Sequence, residues 1–169
     1  MLASTGAIAA PASDWAFEPK LDGWRVLVHI DGNLQVRTRG GHDVAVAVPE
    51  LRGRIGALGD RSVVLDGELV ARQGRPWDFD RLAPRPAARK PEAVARQRAR
   101  TPITLAIFDV LLFDGELLTG ESYRDRRQAL EELALEGPAW CTVSSFAELG
   151  GDLLVACAQL GLEGVVAKR

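Results

Sequence analysis

Lysine is the scarce residue in this 169-residue chain: of 21 basic residues only Lys20, Lys90 and Lys168 are lysines, and the other eighteen are arginines. Arginine keeps its proton in a protein, so covalent amine chemistry has only three candidate nucleophiles here. Cysteine is scarce as well. Cys141 and Cys157 stand alone, in no CxxC or Cys/His cluster, which excludes a thiolate zinc site and a disulfide framework and suits a reducing compartment. No apolar run approaches the eighteen or so residues that span a bilayer. The opening MLASTGAIAAPAS also lacks the basic and long apolar regions of a secretory signal, so a cytoplasmic protein with no membrane partner is expected. An excess of one charge is missing too: 21 basic against 23 acidic side chains give a net charge of −2. The chain as a whole therefore carries no electrostatic footprint for nucleic acid, and any such contact has to be local.

What is present is a folding composition, 47% hydrophobic and 26% charged, at a length that fits one domain. Residues 15–20, 24–31 and 34–39 are predicted strands, the last two joined by Asp31-Gly32-Asn33, a strong hairpin signal, so a meander opens the domain. Residues 49–58 predict a short helix with Pro49 at its start. The segments SVVLDGELVA (62–71) and ITLAIFDVLLF (103–113) predict long central strands. Ser122 caps a helix whose Leu130, Leu133 and Ala134 share a face until Gly137-Pro138 stops it; a second helix over about 147–160 and a strand over 163–168 follow. Strands that do not alternate strictly with helices favour an α+β fold, antiparallel sheets flanked by helices, over a doubly wound one.

Two segments admit both a plain and a chemical reading. Residues 81–100 hold seven basic residues and one acidic one, Glu92, which is either a solvated surface excursion or a contact for phosphate backbones. In Glu18-Pro19-Lys20-Leu21-Asp22-Gly23-Trp24-Arg25 a lysine lies between carboxylates, ahead of a turn and an arginine. An ordinary hairpin explains it; so does a nucleophile, if Lys20 sits at a strand end where desolvation and the Arg25 charge lower its pKa and favour the free amine.

Lys20-x-Asp22-Gly23-x-Arg25 resembles the first signature of the covalent nucleotidyltransferases, the DNA ligases, RNA ligases and capping enzymes. Four further matches follow in the family's order and spacing: RTRGG (37–41), LDGEL (65–69), AIFDVLLFDG (106–115) and LEGVVAKR (162–169). The resemblance covers residues 15–169, with residues 1–14 as an N-terminal extension. EPKLDGWR, GRPWDFDRL (74–82) and EGVVAKR look most similar to bacterial ATP-dependent DNA ligases of the end-joining-repair kind.

The resemblance implies the ligase and capping-enzyme nucleotidyltransferase fold, ATP-grasp-like, with ATP and Mg²⁺ as cofactors and nicked or broken double-stranded DNA as partner. It makes Lys20 the nucleophile and places Glu18, Arg25, Glu68, Phe108 and Lys168 around the nucleotide. Glu68 would accept from the ribose hydroxyls as an ionised carboxylate, and Arg25 would meet the ribose and phosphate side. Phe108 would stack on adenine, although from the sequence alone a core phenylalanine in a buried strand is the stronger reading. Arg39 would contact the 5′-phosphate of the DNA, and Glu163 would help hold Mg²⁺. Family members continue into a fifth motif with two lysines and then an OB-fold domain, neither of which follows here. A monomeric, partial adenylation domain is therefore expected, one that binds nucleotide weakly, self-adenylates slowly if at all and does not seal nicks alone. An RNA-ligase or capping relation would instead show as an RNA acceptor or GTP preference, and a non-catalytic nucleic-acid-binding module would show DNA affinity indifferent to Lys20.

Overall fold

The computed structural model describes residues 4–6, 11–72, 79–147 and 150–169. In chain order the elements are β1 (Ala16–Lys20), β2 (Trp24–Asp31), β3 (Asn33–Thr38), β4 (Val63–Ala71), α1 (Phe79–Leu82) and α2 (Pro91–Arg100). They continue with β5 (Ile103–Phe113), β6 (Glu116–Leu117), α3 (Tyr123–Glu132), β7 (Trp140–Thr142), β8 (Phe146–Ala147), α4 (Gly150–Gln159) and β9 (Gly164–Lys168). Short 3₁₀ segments cover Ala12–Asp14, Ala45–Ala47 and Pro49–Leu58. The chain forms two compact units, one from Met1–Leu21 with Val143–Arg169 and one from Asp22–Thr142.

The larger unit is built on a six-stranded sheet in the order β3-β2-β4-β5-β6, with β7 also on β5. The hairpin at Asp31-Gly32-Asn33 forms as the sequence predicts, with Gly32 at φ 65°. Alternation sends Val26, Val28 and Ile30 of β2 and Leu65 and Leu69 of β4 to one face, where they are buried with Leu105 and Ile107 of β5. Val44, Val48, Leu51 and Leu58 from the segment after β3, and Leu130, Leu135 and Trp140 from the α3–β7 region, complete this core. Each such aliphatic side chain contributes roughly 1.5–3 kcal/mol on leaving water. Trp140 Nε1 donates to the Leu51 carbonyl at 3.1 Å, so the largest core side chain is also satisfied.

Four expectations are corrected. No meander opens the fold: β2 and β3 pair, but β1 belongs to a separate three-stranded sheet in the order β8-β1-β9. The sheets are antiparallel as expected, apart from the short β7, which runs parallel to β5. Residues 49–58 wind as a 3₁₀ helix, Gly53 and Gly56 denying the segment α-helical propensity. The Ser122-capped helix ends at Glu132, before Gly137-Pro138; Ala134 turns back at φ 47° and Leu135 drops into the core. Its start is as read, with Ser122 Oγ accepting from the Asp125 N–H at 3.2 Å. The second helix starts at Gly150, because Phe146–Ala147 is strand; residues 148–149 lie outside the described residues, as do residues 74–78 of GRPWDFDRL and residues 1–3 and 7–10 of the N-terminal extension.

In the smaller unit β1 and β9 pair antiparallel from Ala16↔Lys168 to Lys20↔Gly164. Phe17 is buried on the face toward α4, where a Cβ on Gly150 would stand 2.6 Å from its ring, so only glycine lets α4 begin so close. Among the described residues no helix is long and apolar enough to cross a membrane.

Candidate functional site

The period of two puts Ala16, Glu18 and Lys20 on one face of β1, with Lys168, Val166 and Gly164 opposite them on β9. Glu18 and Lys168 are therefore diagonal neighbours, and Lys168 Nζ lies 2.6 Å from Glu18 Oε2. The Glu18 carboxylate is buried, its side chain 3% exposed, so this ion pair fixes the orientation of both groups. Lys20 ends β1 and forms an ion pair with Glu163, the residue before β9. The Lys20 side chain is 41% exposed and that of Glu163 52%. This corrects the expectation of a desolvated lysine: Lys20 stands at a strand end as predicted, but open to solvent. Gly164, opposite Lys20, has φ 151°, a conformation that L side chains rarely adopt. The smaller unit thus gathers Glu18, Lys20, Glu163 and Lys168.

The larger unit gathers Arg25, Glu68 and Phe108 on the sheet face opposite its core. Arg25 of β2 lies across from Glu68 of β4. Its guanidinium makes a two-pronged contact with Asp66, Nε to Oδ1 at 3.0 Å and Nη2 to Oδ2 at 2.7 Å, and stands over the Phe108 ring at 5.7 Å from the centroid. The hydrogen bond to Asp66, above all, raises the Arg25 pKa further from neutrality. Phe108 is half-buried on this polar face, so the core reading is set aside. Glu68 accepts from the Gly23 N–H at 3.1 Å, yet burial pushes its carboxyl from 4.5 up to about 7, against the lowering effect of that bond and of Arg25. The expectation of a carboxylate that stays ionised therefore holds only above neutral pH.

Both Asp-Gly pairs owe their glycines to close approach. A Cβ on Gly23 would lie 2.2 Å from the Leu69 carbonyl oxygen, and one on Gly67 would lie 2.8 Å from that of Ala106. Asp66-Gly67 is mid-strand, as the predicted strand 62–71 requires, beside a register shift between β4 and β5. Arg39 is exposed in the turn after β3, and the register Val26↔Thr38 puts it at the same end of the β2–β3 ladder as Arg25.

Two functional supports were missed by sequence reasoning. Asp66 is the buried partner that aims Arg25; the available signal was a carboxylate inside an otherwise apolar strand, which needs a cation. Asp109, next to Phe108, holds Arg126 of α3 through Nε at 2.8 Å and Nη2 at 2.9 Å, anchoring that helix to β5. The basic stretch is corrected in part: Arg85 is not solvated but fully buried against Glu50. Cys141 and Cys157 are free thiols whose pKa burial raises.

The description "ATP dependent DNA ligase domain" matches residues 1–169, the whole chain. The chain belongs to that family. This ligase domain is 40% identical over 175 residues to the multifunctional non-homologous end joining DNA repair protein LigD of Mycobacterium tuberculosis H37Rv, covering 100% of this chain and 21% of that protein. It is 39% identical over 171 residues to DNA ligase C1 of Mycolicibacterium smegmatis, covering 94% of this chain and 47% of that one. Among solved structures the ligase domain of M. tuberculosis LigD matches with a TM-score of 0.73 and 33% identity, over 92% of this chain and 48% of that chain. A mycobacterial DNA ligase D complexed with ATP and MES matches equally, with a TM-score of 0.73 and 34% identity. The ligase domain described here thus spans between about a fifth and a half of these relatives.

Proposed function

We propose that this ligase domain carries out the nucleotide-activating step of ATP-dependent DNA strand joining in end-joining repair. The Lys20 amine, once it has lost its proton, attacks the α-phosphorus of ATP. A P–N bond forms, the bond from that phosphorus to its bridging oxygen breaks, and pyrophosphate leaves with the electron pair. In the whole enzyme AMP then passes from Lys20 to the 5′-phosphate at a nick or break, and a 3′-hydroxyl displaces it to close the phosphodiester bond.

One observation carries the reading: of the three lysines, Lys168 is committed to a buried carboxylate and Lys90 precedes α2, outside every family motif, whereas Lys20 ends a strand, exposed, beside Glu163. Lys168 and Glu18 then frame the phosphate side, Arg25 meets ribose and phosphate, Glu68 accepts from the ribose hydroxyls and Phe108 offers its ring to adenine. Arg39 meets the DNA 5′-phosphate. Among the described residues no three His, Cys, Asp or Glu side chains form a metal cage. That fits a Mg²⁺ held by one carboxylate, Glu163, together with substrate phosphate oxygens, where it would neutralise charge developing on the phosphoryl group. DNA and an OB-fold domain, which would close over the nucleotide, are the partners in the whole enzyme.

Intact-protein mass after incubation with ATP and Mg²⁺, beside GTP and NAD⁺, tests the proposal. Slow gain of one AMP from ATP alone, absent in Lys20→Ala, is expected. An adduct that survives Lys20→Ala, or that forms from another donor instead, overturns it, as does failure to bind ATP at all by calorimetry.

A further inference from the structure

A cavity of about 310 Å³ lies within the larger unit and shares no lining residue with the Arg25–Glu68 group. Its walls include Arg54, Arg72 and Arg98, one carboxylate, Glu50, and the apolar surfaces of Ile103 and Trp140. Glu50 is already engaged: it pairs with Arg85, whose side chain is 1% exposed. With that pair neutral, three guanidiniums leave the cavity a formal charge of +3. One of the three is also short of an acceptor: Arg54 Nε is buried with no hydrogen-bond partner, its Nη2 reaching the Ala134 carbonyl only at 3.4 Å. Within the Glu50–Arg85 pair, Glu50 Oε2 and Arg85 Nε and Nη1 are likewise without partners, and Arg85 itself does not line the cavity. A buried N–H without an acceptor is costly, and an arriving oxyanion removes that cost.

The charge and the donor count decide which oxyanion. A carboxylate brings one charge and two oxygens, enough for one guanidinium fork. A phosphate brings up to two charges and tetrahedral oxygens that several forks share, in a pocket whose apolar wall strengthens each contact. Arg98 also belongs to the basic stretch 81–100, which the nucleotide-activating step leaves unused.

We propose that Arg54, Arg72 and Arg98 form a phosphate-binding site separate from the nucleotide site. It takes a phosphate group carried either free, as in pyrophosphate, or on a polynucleotide backbone. The inference stands independently of the reaction at Lys20.

Trp140 lines the cavity, so its indole N–H resonance in a ¹⁵N-labelled sample reports occupancy directly. Without Mg²⁺, inorganic pyrophosphate and an intact duplex bearing 5′-hydroxyl ends are titrated in parallel into the wild-type chain, Lys20→Ala and Arg72→Gln/Arg98→Gln. The two substituted arginines are exposed, so the fold is expected to persist, and unchanged thermal unfolding verifies it. The Trp140 resonance is expected to move in wild type and Lys20→Ala alike, with affinity about tenfold or more weaker in the arginine variant. A response to the duplex only, with a shallower salt dependence in the variant, identifies a backbone phosphate; a response to pyrophosphate only identifies a free one. A resonance that moves with neither probe, or moves with equal affinity in the arginine variant, overturns the proposal.

Discussion

Glu68 gives the fold a pH dependence whose sign and size follow from its surroundings. Burial holds its carboxyl at about 7 against an ordinary value of 4.5. Between those limits the folded chain binds a proton that the unfolded chain has released, so stability is highest below pH 4.5 and falls as pH rises toward 7 and just beyond. At about 1.4 kcal/mol per pH unit the full penalty is roughly 3 kcal/mol. Residual contact of the side chain with water reduces that to about 2 kcal/mol. Glu68→Gln keeps an oxygen for the Gly23 N–H and removes the titration. Urea unfolding of both proteins at intervals from pH 5 to pH 8.5 should show the variant gaining on the wild type as pH rises, ending about 2 kcal/mol more stable. In thermal unfolding that is about 4–8 °C for a chain of this size. All other titrations are common to the pair and cancel in the difference. A difference flat in pH, or one favouring the wild type more at high pH, refutes the reasoning. The same variant should bind ATP more weakly, because an amide offers the ribose hydroxyls one acceptor oxygen in place of two.

Other substitutions test the supports of the site separately. Gly23→Ala should cost about 2–3 kcal/mol in urea unfolding, since its Cβ would meet the Leu69 carbonyl oxygen at 2.2 Å and the contacting atom is backbone. Asp66→Asn, which leaves Arg25 without its anionic partner, should cost about 2 kcal/mol and also lower ATP affinity, read by calorimetry. Glu50→Gln alone should cost about 3 kcal/mol by stranding the buried Arg85 charge, whereas Glu50→Gln with Arg85→Met should cost clearly less than the sum of the two single changes in a double-mutant cycle.

Local pattern carried much of this fold into view, and the misses share a cause. β5 coincides with the predicted 103–113, and β2, β3 and β4 match within a residue or so, because alternation and flanking turn residues are local properties. The partner of β1 is not local. Ala16–Lys20 pairs with residues nearly 150 positions later, and nothing in 15–25 distinguishes that from the hairpin that Asp22-Gly23 suggests. The site residues came from motif resemblance; their surroundings came from the structure. Glu18 could be placed near a nucleotide, but its ion pair with Lys168 required the β1–β9 register. Asp66 fell inside a strand that the sequence predicts, and only the close passage of β5 shows why glycine follows it in mid-strand. Arg85 lay inside a run of arginines that reads as solvated, and a sequence cannot show that one member turns inward to a glutamate 35 positions away.

Strand β4 shows how the site and the stability of the larger unit are set against each other. Its core-facing residues, Leu65, Gly67 and Leu69, close against β2 and β5, and Gly67 is small because the strands come too near for a Cβ. Its other face carries Asp66 and Glu68, two carboxylates two residues apart, with Arg25 as the cation between them. One guanidinium saturates one carboxylate: Asp66 takes both of the prongs described, and Glu68 is left with a backbone N–H and a displaced pKa. A sequence selected for stability alone would place a neutral side chain at position 68. The carboxylate persists against about 2 kcal/mol of destabilisation at neutral pH, a magnitude that the apolar face of the same strand offsets with a single buried leucine. A ligand that donates hydrogen bonds to Glu68 would favour its ionised form and recover that energy on binding, so ATP affinity should rise from pH 6 to pH 8 in the wild type and stay flat in Glu68→Gln. Calorimetry at the two pH values decides it, and equal slopes for the two proteins would remove Glu68 from the nucleotide site.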